Sequence, residues 1–349
     1  MRDRIQLLIN KNLITNFISC SFDSDLFLAA DAFSIEMMPG AFRPRCGMRV
    51  ECYVNNRIAL TGYISKIESK IQKSGRSLAI SGMDRMGILC GHDITEFGED
   101  TDLSNLSFIE IVRLLLRDVP GVNTLNDVIF QGKSAGFAIP YDLIKQEHGQ
   151  TVFDVLKTIS AGRGLLFWCT EEGKFVFGKP VSAGPAVFSF SRTNNFTNIL
   201  ESSLVEDIAD GFSKVFVYGQ SQDVSTDESG NILNSLESNS CETASLSVPD
   251  EFPFYKPKCI TLSGNSTVCR REAQRQINIS KAKALAIEYT VAGHSYKGTN
   301  YKTNVIVNVN DDKEEIHGDF LLYGRTFTIN KNTGPLTTVR LGRPGIILE

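Results

Sequence analysis

The last fifty residues constrain the fold of this chain more than any other segment. Every second residue from Val305 to Val309 is a valine, and this is close to the two-residue period of a half-buried β-strand. An acidic turn follows at 311–312, and two more strand-like runs reach residue 344 on either side of a turn at 330–335. The segment therefore predicts three β-strands joined by two turns.

Length and charge limit the classes of protein to which the chain can belong. With 349 residues it exceeds the ~250–300 residues at which a single core stops growing, so we expect two or three domains. Its 42% hydrophobic and 22% charged residues are typical of a soluble globular protein. The net charge of −4 argues against tight binding to DNA, although like charge suits a passage for DNA because it discourages sticking.

The sequence has no feature of a membrane or exported protein. No apolar run approaches the ~18–20 residues of a membrane span, and the apolar stretch at the N-terminus is too short for a signal peptide. We therefore expect the chain to be made and folded in the cytoplasm, without stable membrane insertion. None of the eight cysteines forms a Cys-x-x-Cys motif, and we expect mostly buried free thiols; Cys52, in phase with Val50 and Val54, is an example.

The order of patterns predicts a mainly β protein with a small α+β domain between two small β-barrel-like domains. Residues 1–100 contain short strands with turns between them and are interpreted as the N-terminal β-barrel. Residues 101–180 contain two helices and a hairpin, which are interpreted as the α+β domain. Residues 181–349 return to β; they include a polar segment at about 220–247, predicted to be a long exposed loop, and a polar helix at about 267–283.

Two capping boxes mark the helices of the middle segment. Ser107 followed by Glu110 begins one helix, and Thr151 followed by Asp154 begins the other. The apolar runs at 165–169 and 174–177 then flank an acidic turn and predict a β-hairpin.

Several of these stretches resemble a known family. The matching segments are Gly47–Val54, Leu60–Ile64, Leu78–Leu89, Thr151–Ile159, Gly164–Trp168, Val307–Asp312 and Gly334–Pro344. In this order they resemble the baseplate hub proteins of contractile-tailed phages, the Mu type, over nearly the whole chain. The sequence departs from the family at Met83, where the family tends to have arginine between glycine and aspartate.

The resemblance implies a mechanical role. It implies a homotrimer in which two similar barrels per subunit alternate around a ring, between the tail tube and the cell-puncturing spike. DNA would leave through the centre of the ring without sequence-specific binding, and the protein would belong to the virion. The expected partners are the spike protein and the tube and baseplate proteins; we expect no enzyme activity, no catalytic residue, no cofactor and no metal.

Possible nucleotide sites are incomplete in the sequence. Lys133, between Gly132 and Ser134, would end a phosphate-binding loop, but the glycine that this motif requires is replaced by Asp127. We interpret 132–134 as an exposed loop. Gly162 and Gly164 lack the third glycine of a dinucleotide fingerprint and follow a helix, which favours a helix C-cap.

Histidines and cysteines do not form a metal motif. Cys90, His92 and Asp93 could supply one side of a site, but zinc needs about four ligands and no second pair lies nearby in sequence, so we interpret them as a turn. His148, His294 and His317 are predicted to lie in polar loops.

A cell-wall-cutting activity requires two carboxylates that face each other across a cleft. Glu171 and Glu172 are adjacent in one predicted turn, and the acidic residues of Asp311–Glu315 lie in another, so both are interpreted as solvated turns. The Gly-x-Ser-x-Gly and His-Glu-x-x-His motifs are absent. Ser280 and Lys283 have the spacing of a Ser-x-x-Lys pair, but they are predicted to decorate a helix surface.

One basic cluster is present, and its members fall on the predicted polar helix: Arg270, Arg271, Arg275, Lys281 and Lys283. A solvated or salt-bridged helix explains such a cluster. The alternative is a docking surface for an acidic neighbour, such as the Asp311–Glu315 turn of the next subunit.

Two other functions remain open at this level. One is a cell-wall or carbohydrate-acting enzyme built from β-modules, which the acidic loops favour and the missing motifs disfavour. The other is the related hub of a contractile secretion spike, which would continue into a spike-forming repeat. The sequence stops at Glu349, shortly after its last predicted strand, and this favours a separate spike protein.

Overall fold

The computed structural model describes most of the chain in two compact units. The described residues are 3–15, 17–40, 42–73, 75–94, 103, 106–117, 119–131, 149–209, 211–220, 225–226, 232–233, 241–247, 253–263, 266–330 and 333–345. The first unit comprises Met1–Ser202 and Glu288–Pro344, and the second contains Ser203–Ile287 and Gly345. The predicted domain boundaries near residues 100 and 180 stay a prediction.

Strands dominate the structure, and the prediction of a mainly β protein is confirmed. The strands are β1 Ile5–Ile9, β2 Asn12–Ile14, β3 Phe17–Asp25, β4 Ala32–Met37, β5 Arg49–Val54, β6 Arg57–Gln72, β7 Gly75–Asp84, β8 Val128–Phe130, β9 Leu166–Cys169, β10 Phe175–Gly178, β11 Phe188–Arg192, β12 Ile199–Glu206, β13 Lys214–Gln220, β14 Ser225–Thr226, β15 Ile232–Leu233, β16 Cys241–Ser247, β17 Pro257–Ser263, β18 Leu285–Ala292, β19 Ser295–Tyr296, β20 Thr299–Asn300, β21 Val305–Asp311, β22 Ile316–Asn330 and β23 Gly334–Gly342. The helices are Met86–Leu89, Phe108–Leu116, Val152–Gly162 and Ser266–Lys283. In this described part of the chain, no helix is long and apolar enough to cross a membrane.

Thirteen strands form one sheet. Its main path runs β12-β18-β23-β22-β3-β4-β7-β6-β5-β1-β2, and β21 and β11 branch from β22. The three terminal strands predicted from the sequence are present as β21, β22 and β23, with β22 between the other two. Alternation of buried and exposed residues explains why these segments are strands; Val305, Val307 and Val309 are all buried.

The long strand β22 is where the sheet branches. Ile316–Leu322 pairs with β21, and Gly324–Asn330 pairs with β3, while β23 pairs with β22 from Leu321 onward. The register shifts between Leu322 and Gly324, as in a β-bulge, which bends a strand. One strand therefore joins the first β-segment of the chain to the last.

Tight turns set the register of the N-terminal strands. Asn55 and Asn56 have φ of 51° and 63°, as the two-residue turn between β5 and β6 requires, and asparagine tolerates this conformation. On β5, the inward face predicted from alternation is confirmed, because Val50, Cys52 and Val54 are fully buried. Two separate strands follow β1, since β2 forms a hairpin with β1 whereas β3 pairs with β4 and β22.

The α+β part of the first unit has its own aromatic core. Both predicted capping boxes are present, at Ser107 and at Thr151, and the predicted hairpin is β9–β10. β8 adds to this hairpin in parallel. The Phe167 and Phe177 rings stack with centroids 4.4 Å apart, and Phe108 meets Phe177 edge-on at 5.2 Å, so the helix that Ser107 caps is packed onto the hairpin.

The second unit contains a small sheet and the long polar helix. β13 lies between β16, which is antiparallel to it, and β17, which is parallel. The helix Ser266–Lys283 begins one residue before the predicted range, and its buried residues Cys269, Ala273 and Ile277 pack with Val215 and Val217 of β13. These five residues form the core of this unit in the described part.

The prediction of one long exposed loop over 220–247 is wrong. Cys241–Ser247 is strand β16, with Val217 opposite Ala244 and Val215 opposite Leu246, and β14 pairs with β15 within the same segment. Alternation of small or apolar residues with Ser and Thr in 241–247 is compatible with a strand. The high Ser, Asn and Glu content of the whole segment concealed this short pattern.

Candidate functional site

Buried and partly buried charged side chains join the strands of the first unit. Arg192 on β11 donates from Nε to Asp311 Oδ1 at 2.9 Å and from Nη2 to Asp311 Oδ2 at 2.7 Å. Asp311, at the end of β21, has no exposed surface, and Glu314 Oε1 lies 3.4 Å from the same Nη2. Burial raises the pKa of Asp311, but hydrogen bonds from Arg192 and the backbone of Lys313 outweigh it, so the pKa is lowered and the carboxylate stays charged.

The Asp311–Glu315 turn was predicted to be solvated, and for Asp311 this is wrong. The parallel pairing of β11 with β21 sets Arg192 directly opposite Asp311. The Asp311 carboxylate can be buried because β11, a strand distant in sequence, supplies the guanidinium of Arg192 as its partner. Asp312 and Glu315, by contrast, are exposed as predicted.

A second arginine ties β23 to β3. Arg340 Nη2 donates to Asp23 Oδ1 at 2.7 Å, and its Nε lies 2.9 Å from Asp25 Oδ2. Gly324 leaves the space for this contact, since a Cβ there would lie 2.7 Å from Asp25 Oδ2. The glycine at the bulge of β22 is thus required by the ion pair beside it.

Arg325 is the most buried arginine described. It is 1% exposed, its Nη2 donates to the Ala59 carbonyl at 2.9 Å, and the guanidinium stacks 4.0 Å from the centroid of the Phe327 ring. Glu171 Oε1 lies 3.5 Å from Nη2, so β22 is connected to the turn of the β9–β10 hairpin. Such contacts hold strands in place.

A cluster of carboxyl groups lies where β7 ends. Asp84 Oδ1 accepts a hydrogen bond from the backbone of Met86 at 3.0 Å, and Asp31 Oδ1 accepts one from the backbone of Asp25 at 2.8 Å. Burial raises the pKa of both Asp31 and Asp84, and the charge of Asp84 raises that of Asp31 further. Asp84 therefore caps the turn into the helix Met86–Leu89, which gives the aspartate of the Gly82–Asp84 segment a structural role.

The turn carboxylates that were weighed as a catalytic dyad have separate cationic partners. Glu171 contacts the buried Arg325, and Glu172 pairs with Lys174 at 3.2 Å. Asp311 is engaged by Arg192, as described above. Adjacent carboxylates with separate cationic partners do not flank a common cleft, so this geometry gives no support to glycoside hydrolysis.

The histidine and cysteine predictions have different outcomes. Cys90, His92 and Asp93 lie at the turn after the first short helix, where the His92 carbonyl accepts from the backbone of Val152; the described residues contain no group of metal-ligating side chains. His148, like residues 132–134, lies outside the described residues. Four of the seven cysteines whose side chains are described are buried: Cys20, Cys52, Cys169 and Cys269.

Of the two remaining histidines, His294 lies in the connection between β18 and β19, as predicted, but the loop prediction is wrong for His317, which lies within strand β22. His294 is fully buried, its ring 4.8 Å from that of Phe327 and its Nδ1 3.1 Å from Thr337 Oγ1. Burial lowers the pKa of His294 to about 4. His317 lies on β22, exposed, with Nδ1 2.7 Å from Asn310 Oδ1.

The polar helix of the second unit is a salt-bridged helix where its side chains are described. Arg275 Nε and Nη2 lie 2.8 Å from the two carboxylate oxygens of Glu272, three residues earlier. Arg270 is exposed, whereas the side chains of Arg271 and Lys283 lie outside the described residues. Ser280 is buried instead of decorating the surface, because it follows Ala273 and Ile277 on the apolar stripe.

Gly162 and Gly164 end a helix, as predicted. The backbone N–H of Gly164 donates to the Ala161 carbonyl at 2.8 Å, and Gly164 has a φ of 68°, which is the left-handed conformation of a helix terminus.

One exposed feature was not recognised in the sequence. β6 and β7 remain paired with each other from Gly62 and Asp84 out to Gln72 and Gly75. β5 pairs with β6 only as far as Tyr63. The outer half of this hairpin therefore projects beyond its neighbours; the long run of alternation from residue 57 to 72 was the available signal.

Comparison with known proteins gives consistent matches. Residues 4–84 match the family described as Mu phage baseplate assembly protein GpP-like, N-terminal. Baseplate hub protein gp44 of Escherichia phage Mu is 22% identical over 365 aligned positions, which cover 100% of this chain and 90% of gp44.

Two solved structures have the same fold over nearly their whole length. The tail protein of Neisseria meningitidis MC58 has a TM-score of 0.82 at 22% identity, covering 99% of this chain and 98% of that one. The 43 kDa tail protein of prophage MuSo2 from Shewanella oneidensis has a TM-score of 0.81 at 18% identity, with 98% of both chains covered. The resemblance predicted from the sequence is confirmed.

Proposed function

Because this chain is a relative of the Mu-type baseplate hub proteins, we propose that it is a structural component of the contractile tail of a phage or prophage. It forms a homotrimeric baseplate hub ring that joins the tail tube to the cell-puncturing spike. The observation that carries this proposal is the span of the match, which covers the whole chain and 90% of gp44. A match of this span extends over all of this chain and is not limited to one shared domain.

Strand pairing supports two barrel-like domains per chain. β3 to β7 with β1 and β2 supply the strands of the first, and β11, β21, β22, β23, β18 and β12 those of the second. A hairpin links β11 to β12, because the backbone of Asn198 donates to the Ser191 carbonyl at 2.9 Å. Three chains would contribute six such domains, and a head-to-tail contact that rotates by a third of a turn closes into a ring.

Rigidity is the property that such a ring needs, and three arginines that are buried or partly buried supply it. Arg192, Arg325 and Arg340 each connect segments more than a hundred residues apart in sequence. Breaking a buried ion pair costs several kcal/mol. Because Asp311 is fully buried, its pair with Arg192 in particular opposes the separation of strands under load.

The surface charge suits a passage for DNA. The net charge of −4 disfavours adhesion of a polyanion, and no sequence-specific binding is needed for DNA to leave through the ring. The protein is located in the virion, at the baseplate, after assembly in the bacterial cytoplasm. Its matches are baseplate and tail proteins, so it is a structural protein and not an enzyme.

The solution mass tests the proposal first. We expect light scattering on a sizing column to give three times the chain mass of 38.6 kDa. Deletion of the gene from an inducible prophage should then yield tails that lack the spike, and the purified protein should bind the spike protein encoded beside it. A monomer at every concentration, together with normal tails from the deletion strain, would contradict the proposal.

A further inference from the structure

The outer half of the β6–β7 hairpin is a ribbon with no core of its own. β4 pairs with β7 only from Leu78, and β5 pairs with β6 only up to Tyr63, so residues 66–76 pair with no other described strand. An isolated two-stranded hairpin is marginally stable in water. A ribbon that projects in this way is expected to be covered in the assembled state.

The ribbon is basic, and its tip carries an apolar side chain. Residues 66–76 contain four basic side chains and one acidic one, a net charge of +3 in a chain of net −4. The side chains of Lys66 and Lys70 are 70% and 56% exposed, and Ile71 is 79% exposed. We call residues 66–76 the basic ribbon.

The turn after β21 has the opposite charge. Residues 312–319 contain four acidic side chains and one basic one, a net charge of −3 with His317 neutral. Asp312, Glu315 and Asp319 are exposed, and Asp311 does not contribute because Arg192 neutralises it. We call residues 312–319 the acidic turn.

The acidic turn is also next to a free strand edge. β23 pairs with β22 only from Leu321, so Ile316–Phe320 has one edge without a partner among the described strands. Unpaired edges of this kind accept a further strand through main-chain hydrogen bonds.

We infer that the basic ribbon of one copy seats on the acidic turn of the next copy around the ring. Within one chain, no ion pair joins the two features in the described part, where Lys66 and Lys70 have only the exposed Glu68 as partner. The two features lie in different barrel-like domains, so a contact between copies is head-to-tail, the type that closes a ring. Complementary charge of equal size then sets the register of the contact.

This inference rests on the proposed trimer, and it can fail separately. The test compares Lys70→Glu/Lys73→Glu with Asp312→Lys/Glu315→Lys and with the combination of all four substitutions. Each pair should weaken the association of the copies at least about tenfold, because like charges then face each other. The four together should restore it, and added salt should weaken the contact in the wild type.

A matched control reverses two exposed lysines elsewhere in the first unit, Lys11→Glu/Lys302→Glu. It has the same change in net charge as the ribbon variant and should remain trimeric. Circular dichroism of every variant checks that the fold is retained. A photo-crosslinking amino acid at position 71 should then form a product with the 305–322 segment of another copy.

Two results separate the possible failures. A wild-type trimer that survives both charge reversals, with crosslinks to other segments, would overturn the inference and leave the proposed hub intact. A wild type that stays monomeric and gives no crosslink between copies would overturn both.

Discussion

Arg192 and Asp311 lie opposite each other on parallel strands and form two hydrogen bonds, of 2.9 Å and 2.7 Å, with the carboxylate fully buried. The pair connects β11 to the end of β21, immediately before the acidic turn. It fixes where that turn begins, and therefore which carboxylates remain exposed for a neighbouring molecule.

Arg192→Ala tests the contribution of this pair to stability. Removal of the arginine leaves Asp311 buried without its partner, so we expect the free energy of unfolding to fall by about 3–5 kcal/mol. Urea unfolding followed by circular dichroism measures this. Lys174→Ala is the control, because its pair with Glu172 is 39% and 60% exposed and should contribute less than about 1 kcal/mol. Equal losses of unfolding free energy in the two variants would contradict the larger contribution expected from the buried pair.

Gly82→Ala should destabilise the first unit strongly. A Cβ at position 82 would lie 2.5 Å from the Phe33 ring and closer still to the backbone carbonyl of Tyr63, which cannot move without breaking the sheet. Overpacking of this kind costs about 1–3 kcal/mol or more, and we expect a lower melting temperature. Gly91→Ala is the comparison, because the nearest atom there is 3.9 Å away. If both variants have the melting temperature of the wild type, the predicted clash at position 82 does not occur.

His294 makes stability depend on pH. Burial lowers its pKa to about 4 from 6.5, so the folded state keeps the ring neutral while the unfolded chain takes up a proton below about pH 6.5. Stability from this residue is therefore present above pH 6.5 and is lost as pH falls towards 4. Between pH 7 and 5 we expect a loss of about 2 kcal/mol that His294→Gln largely lacks. If the unfolding free energies of the wild type and His294→Gln change with pH in parallel, His294 is not a source of the pH dependence.

The contribution of Asp84 to stability changes with pH in the opposite direction to that of His294. Burial raises its pKa above the usual 3.8, so its contribution to stability is present at low pH and is lost as pH rises through the raised value. Asp84→Asn keeps an oxygen that can accept from the backbone of Met86 and removes the titration. Relative to the wild type, the variant should gain in melting temperature from pH 5 to pH 8. A constant difference over this range would show that Asp84 is not held protonated.

Local patterns predicted a large part of the fold. The capping boxes at Ser107 and Thr151 and the alternation along β5 depend on near neighbours in sequence, and the structure contains each of them. The family resemblance was detectable because these turns and strands occur in a fixed order.

What sequence could not predict depends on distant partners. Asp311 is buried because Arg192 lies opposite it, and His294 is buried because the Phe327 ring and Thr337 cover it. Sequence alone places polar residues of this kind in exposed turns, because most of them are exposed in folded proteins. Their burial can be predicted only when the opposing strand is known. The ribbon of β6 and β7 was missed for the same reason: its exposure depends on where β4 and β5 end.

The position of β22 has a consequence for how the protein is made. β3 at the start of the chain pairs with Gly324–Asn330, so a strand edge formed from the first residues to leave the ribosome waits for nearly three hundred more. At about 5–20 residues per second this takes tens of seconds, during which the edge is open to other nascent chains. Fewer ribosomes on each messenger RNA would keep nascent chains further apart, and a chaperone that covers strand edges would shield them. Either condition should therefore raise the yield of soluble protein.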